Sequence, residues 1–333
     1  LERLAIYAPS RHERWTAAVP VSIDSAPSGA HVYISEYEQP LGGPWTERAI
    51  DDSGSDDAAL TPLTRALAPG SYVVTIPGDD VFAATRYPLR VAPRSQPISV
   101  TIARVAAAEI PSGFIYIPAG DYLAGYGERS SQEDIRIWYE APPLHRRTTG
   151  PYLIAKHETT IGEWIEYLDA LPPTAPRPML ATDKAMTGTS GAKIHLAKRD
   201  DGRWQLQFAP EDKDIYEAVS GEPFQYPGRQ ATYRWERFPI SGVSWNEAQA
   251  YVAWLRESGA VKRARLCRPD EWERAARGAD RRRFPHGAQL LPGDANFDRT
   301  YGRKPTAYGP DPVGTHPLSA SPFRVHDMAG NVW

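Results

Sequence analysis

The chain has 333 residues, 41% of them hydrophobic, with 10 tryptophans, 32 prolines and 26 glycines; such a chain can build real cores, which excludes wholesale disorder. Its 38 basic and 41 acidic residues leave a net charge of −3, without the broad positive field of a general nucleic-acid or anionic-membrane binder. One cysteine, Cys267, excludes an internal disulfide and a cysteine-rich zinc site. No apolar run approaches a membrane span, and no secretory leader pattern opens the chain. Leu1 in place of methionine and the ending Gly330-Asn331-Val332-Trp333 read as an internal piece of a longer protein. The compartment is left open between cytoplasm and envelope.

In chain order, residues 1–18 form an amphipathic lead-in. Residues 19–103 read as all-β. Val21 and Ile23 alternate, His31 to Ile34 and Tyr72 to Ile76 are apolar and β-branched, and Ile98, Val100 and Ile102 alternate again. Gly29 and Gly70 are read as turn glycines, and the acidic stretch Asp51 to Asp57 as solvated loop. Residues 104–110 are a linker with the character of a hinge.

From residue 111 to 333 the texture becomes α+β with long loops. Thr160-Ile161-Gly162-Glu163 and Ser244-Trp245-Asn246-Glu247 are capping boxes that open two helices. Their apolar stripes are read as Ile161, Trp164, Ile165 and Leu168, and as Trp245, Ala248, Val252 and Leu255, both tryptophans packing into the core. A third helix begins with Pro269 at its first position and ends before Gly278, burying Trp272, Ala275 and Ala276. Residues 171–236 are a proline-rich insertion with one strand expected, Trp204 to Phe208. Trp235, Tyr308 and Phe323 are read as core or loop anchors before cleft residues.

Chemistry is not announced by residue type. The eight histidines lack helical metal-pair spacing, and no phosphate-binding or kinase signature occurs. Cys267 reads as a packing residue ahead of the third helix.

The order of the sequence blocks is more telling. Phe114 to Tyr122 opens the second segment, and Tyr152 to Thr160 and Phe238 to Trp245 each run into a helix. Arg265 to Gly278 follows, and Asp327-Met328-Ala329-Gly330-Asn331-Val332-Trp333 closes the chain. This succession resembles the sulfatase-modifying-factor family, the formylglycine-generating-enzyme domain with its modified C-type-lectin-like fold. The segment before it, with Ala26 to Ile34, Pro40-Leu41-Gly42 and Leu67 to Val74, resembles the PEGA family of small β-sandwiches. Together they are similar to the C-terminal region of some bacterial serine/threonine kinases.

The resemblance implies oxidation of a substrate cysteine to formylglycine by copper held on two cysteines. Those cysteines would lie downstream of Trp333, and Cys267 matches neither. It also implies structural calcium at two places: Asp327 with the carbonyls of Gly330 and Val332, completed by an acidic residue past Trp333; and Asn296 with the carbonyl of Phe297. The loop Arg299 to Pro310 lacks the acidic residue expected to complete the second. The expectation drawn is a non-catalytic recognition or sensory module for a protein, peptide or glycan ligand, attached to a signalling protein such as a kinase, with insertion 171–236 part of the display. The alternatives are a copper oxidase that activates sulfatases, and an iron-dependent sulfoxide synthase. The last is disfavoured because its His-x-x-x-His-x-Glu iron ligands are absent from this sequence.

Overall fold

The computed structural model describes residue 13 and residues 15–40, 43–50, 59–126, 142–176, 178, 193–209 and 215–332. The loop at Asp51 to Asp57 and the terminal Trp333 lie outside these. Among the described residues the chain is rich in sheet, with strands β1 (Val19–Ala26), β2 (His31–Glu38), β3 (Thr46–Ala49), β4 (Ala59–Leu60), β5 (Leu63–Leu67), β6 (Gly70–Ile76), β7 (Thr85–Val91), β8 (Ile98–Ala103), β9 (Phe114–Ile117), β10 (Gly120–Ala124), β11 (His145–Thr149), β12 (Tyr152–Ala155), β13 (Lys193–Lys198), β14 (Trp204–Ala209), β15 (Tyr216–Val219), β16 (Phe224–Gln225) and β17 (Thr232–Tyr233). The α-helices described are α1 (Ile161–Ala170), α2 (Trp245–Glu257) and α3 (Pro269–Arg277). No described helix is long and apolar enough to cross a membrane.

The chain divides into two compact units, each discontinuous in sequence. The first comprises residues 1–154, 268–289 and 320–325, the second 155–267, 290–319 and 326–333.

In the first unit, β5-β1-β8 form one sheet and β3-β2-β6-β7, with β4 beside β2, form another. β1 runs antiparallel to β5 and parallel to β8, with Val21 opposite Arg65 and Ile98. Period-two alternation decides which side chains go inward: Val19, Val21 and Ile23 from one sheet join Val32, Ile34, Tyr72, Val74, Ile76, Leu89 and Val91 from the other in a single core. Each such aliphatic side chain taken from water is worth about 1.5–3 kcal/mol. Gly29 takes φ 86° in the turn before β2, as read from the sequence. Gly70 instead opens β6, where an added Cβ would lie 3.2 Å from Glu36 and from the Tyr72 ring, so it provides close approach rather than a turn.

The segment read as a hinge hydrogen-bonds to residues 81–83. The amide of Ala83 donates to Val105 O and that of Ala107 to Val81 O, while Arg104 stacks 4.1 Å from the Phe82 ring. In the same unit α3 packs on β10 and β11 through Arg274, which donates to Pro118 O and to Thr149 Oγ1. The buried face of α3 is Glu271, Arg274, Ala275 and Ala276, so Trp272 falls outside it and is 46% exposed. A buried arginine occupies the place where an apolar pattern would have put the tryptophan.

In the second unit the two capping boxes form as read. Thr160 Oγ1 accepts from Glu163 N while the Glu163 carboxylate takes the Thr160 amide, and Ser244 and Glu247 repeat the exchange. Trp164 is buried as expected, stacked on Tyr251 at 5.3 Å with Tyr167 edge-on to both. Trp245 is not: it is 68% exposed. At the first turn of α2 its side chain precedes the packed stripe, which runs through Tyr251, Val252 and the part-buried Trp254 and Leu255. The stripe is therefore rotated from the one that starts at Trp245.

The insertion holds more structure than the single strand expected. β13, β14 and β15 form an antiparallel sheet, and β16 and β17 a short hairpin. Trp204, Leu206 and Phe208 alternate inward from β14 and meet Ile194, Leu196, Phe224, Tyr226 and Trp235 in the same core as α1 and α2. Trp235 is fully buried there, and Phe323 is equally buried in the first unit, so both are anchors.

Candidate functional site

The site grows from two strand exits and the closing loop of the second unit. After β12 the carbonyl of Lys156 accepts the amide of His326 at 2.9 Å, which sets His157 and Glu158 beside residues 326–332. That loop turns sharply because its backbone is left-handed at Asp327 (φ 54°), Gly330 (φ 76°) and Asn331 (φ 69°). Asp and Asn accept this conformation better than most residues. At Gly330 the requirement is also steric: a Cβ there would come 2.3 Å from Asn296 O.

Asn331 is the centre of the network. Its backbone amide donates to Asn296 O at 2.8 Å, and its Nδ2 donates to Glu158 Oε2 at 2.8 Å and Asp311 O at 3.3 Å. Its Oδ1 accepts from Asp311 N at 2.8 Å and Asn296 Nδ2 at 3.2 Å. One carboxamide thus ties together three stretches of chain that lie far apart in sequence.

Glu158 is the group with unusual proton chemistry. Burial, joined by the nearby Asp327 charge, pushes its carboxyl up to about 8 against hydrogen bonds from Asn331 and the Val332 amide that favour the ionised form. It therefore carries a proton over much of the neutral range. Asp327 Oδ2 accepts from Gly314 N at 2.6 Å and stands 3.4 Å from His157 Nδ1; the His157 and His326 rings lie 5.0 Å apart.

Beside this network sits a buried ionic cluster. The Asp311 carboxylate, wholly inaccessible, pairs with Arg229 and accepts from Tyr301 Oη at 2.8 and 2.9 Å. His316 Nε2 meets Asp311 Oδ2 at 2.8 Å and its Nδ1 meets Gly293 O at 2.8 Å. Both ring nitrogens face acceptors, an arrangement that favours the doubly protonated ring, and the Asp311 hydrogen bond raises the His316 pKa accordingly.

Of the residues the sequence put forward, Asp327, Gly330 and Val332 share one loop, and Asn296 joins them through Asn331. Phe297 stays outside this network, closed into its own turn: its amide donates to Thr300 Oγ1 and its carbonyl accepts from Thr300 N. Glu158, Asp311, Arg229, Tyr301 and His316 were not singled out. Glu158 lay within the quoted block before α1, and Asp311 is one position past the loop searched for an acidic residue. Cys267 is exposed, just ahead of α3. Among the described residues no three His, Cys, Asp or Glu side chains are grouped to hold a metal.

With this geometry in hand, comparison places the chain in a class. Residues 102–333 match the sulfatase-modifying factor enzyme 1-like domain, and the chain belongs to that family. It is similar to the formylglycine-generating enzyme of Thermomonospora curvata, 28% identical over 244 residues, covering 70% of this chain and 73% of that enzyme. It is also similar to the inactive C-alpha-formylglycine-generating enzyme 2 of Bos taurus, 33% identical over 102 residues, 29% of this chain and 31% of that protein. A third relative is the serine/threonine-protein kinase pkn1 of Chlamydia caviae, 25% identical over 222 residues, 66% of this chain but 26% of the kinase.

Proposed function

We propose that this chain is a formylglycine-generating-enzyme-type domain working as a non-catalytic recognition or sensory module, carried by a signalling protein such as a serine/threonine kinase. What supports the reading is the similarity to a serine/threonine-protein kinase over 66% of this chain and to a relative named inactive. The two soft thiolates that copper takes would lie outside these residues in either reading, so the exposed Cys267 does not choose between them. In this reading residues 19–103 are a PEGA-like sandwich, the second segment has the C-type-lectin-like fold, and the ligand is a protein, peptide or glycan.

A calcium ion at Asp327, Gly330 and Val332 belongs to the proposal as a structural part. One carboxylate and two carbonyls are hard oxygen donors of the kind Ca²⁺ takes. Asp327 already spends Oδ2 on the Gly314 amide, which orients the carboxylate within the loop.

The second reading, a copper oxidase converting a substrate cysteine to formylglycine, is favoured by the enzyme-named relative that covers 70% of this chain. Copper-loaded intact protein incubated with a cysteine-containing sulfatase peptide and oxygen separates the two. The module reading expects unaltered peptide by mass spectrometry; aldehyde product, lost when a cysteine outside these residues is changed to serine, overturns it.

A further inference from the structure

We infer that the guanidinium of Arg229 is the resident cation of the loop 296–311, taking the part that the resemblance gives to calcium at Asn296 and Phe297, so that this loop folds without a bound metal. The inference concerns the loop's own chemistry and stands apart from the choice between module and oxidase.

The donor set around Arg229 is that of a hard cation. Nε donates to Ala307 O at 2.8 Å, Nη2 to Gly309 O at 2.7 Å, and Nη1 to Pro310 O at 3.5 Å and to the Asp311 carboxylate. Three carbonyl oxygens and one carboxylate thus converge on a positive charge that the chain supplies itself. The Asn296 carboxamide turns Nδ2, a donor, toward the same Gly309 oxygen at 2.8 Å, and the Phe297 carbonyl is engaged by Thr300 N. Both are thus engaged in hydrogen bonds of the protein's own.

The remaining faces of the guanidinium are aromatic. The Tyr301 and Tyr226 rings lie 3.8 and 4.0 Å from its central carbon. The side chains of Arg229 and Asp311 are 1% and 0% exposed. A planar, weakly hydrated cation suits such a cage; Ca²⁺, with six to eight oxygens, does not.

Arg229 comes from the insertion, and the fit is built on both sides. Its amide donates to Tyr226 O at 3.0 Å, closing the turn that follows β16, and Gly228 N donates to Thr306 O at 3.0 Å. A Cβ on Gly228 would lie 2.6 Å from Thr306 Oγ1, and one on Gly309 2.6 Å from the Tyr226 ring. The two loops dovetail only with glycine at both places.

Hydrogen exchange on the intact protein tests this at the amides of Gly228 and Ala307, which donate to Thr306 O and Lys304 O. Their protection should be equal in calcium and in excess chelator. Arg229→Met should speed their exchange about a hundredfold or more, as expected when a buried carboxylate loses its partner. Arg229→Ala should regain protection when free guanidinium is added. Loss of protection at Gly228 and Ala307 on chelation, at least as large as that at the Asn331 amide beside the calcium proposed for Asp327, Gly330 and Val332, or unchanged exchange in Arg229→Met, overturns the inference. The chelation comparison needs no variant, so it decides even where a variant does not fold.

Discussion

The strand-built part of the first unit and the loop network of the second reach stability by opposite routes. In β1 to β8 an alternating pattern delivers aliphatic side chains to one core, and the backbone satisfies itself through the ladders. Around Asn331 there is little regular structure, and side chains close the chain instead: one carboxamide, one buried ion pair, and left-handed turns at Asp327, Gly330 and Asn331. Apolar burial is nondirectional and forgiving, whereas a directed polar network fails when one partner is removed. The contrast makes the second region sensitive to charge, pH and single atoms in a way the first is not.

The largest effect should come where the second unit does use apolar packing. Trp164→Ala removes the ring stacked on Tyr251 and should cost about 3–5 kcal/mol in denaturant unfolding. A smaller loss would mean that the polar network carries more than its neighbours' core. Gly330→Ala should cost about 1–3 kcal/mol by overpacking against Asn296 O, while an alanine at the exposed, open Gly202 turn should show only the strain of its positive φ.

The pH response sharpens the comparison further. Glu158 and His316 both have folded pKa values above their ordinary ones. The stabilising contribution of each is therefore complete below its unfolded pKa and is lost as pH rises through its folded value, for Glu158 a window from the ordinary 4.5 to about 8. Glu158→Gln keeps an acceptor for Asn331 and cannot ionise, so thermal unfolding of this variant should flatten on the alkaline side. An unchanged pH profile would remove Glu158 from the account. The smallest effect should be at a cap: Thr160→Ala ought to cost about 1 kcal/mol by calorimetry, since Glu163 N loses its partner at the exposed start of α1.

Much of this was legible in the chain, and what was not has physical reasons. Strand periodicity in Val21 to Ile23 and the capping boxes at Thr160 and Ser244 are local signals, and the elements they announce are there. Trp245 and Trp272 were misplaced because apolar character was used to choose the buried face. In α3 that face includes Glu271, which caps the helix at the Arg268 amide, and Arg274, whose guanidinium finds partners the sequence does not display, Pro118 O and Thr149 Oγ1. The insertion was underread because Ile194, Leu196 and Phe224 gain meaning only against a distant core. The closing loop was recognised by its residues, but Arg229 and Asp311 lie 82 positions apart, and no local pattern joins a cation to a carboxylate across that span.

The contrast between the two regions is tested most directly by amide opening measured as pH rises from about 6 to about 9, a range that brackets the raised Glu158 carboxyl. After correction for intrinsic exchange, the amides of Asp311 and Asn331 should open more readily at the higher pH, while those of Val21, Ile34 and Val74 keep their opening constants. Equal loosening of both sets, or no loosening at Asp311 and Asn331, would contradict it.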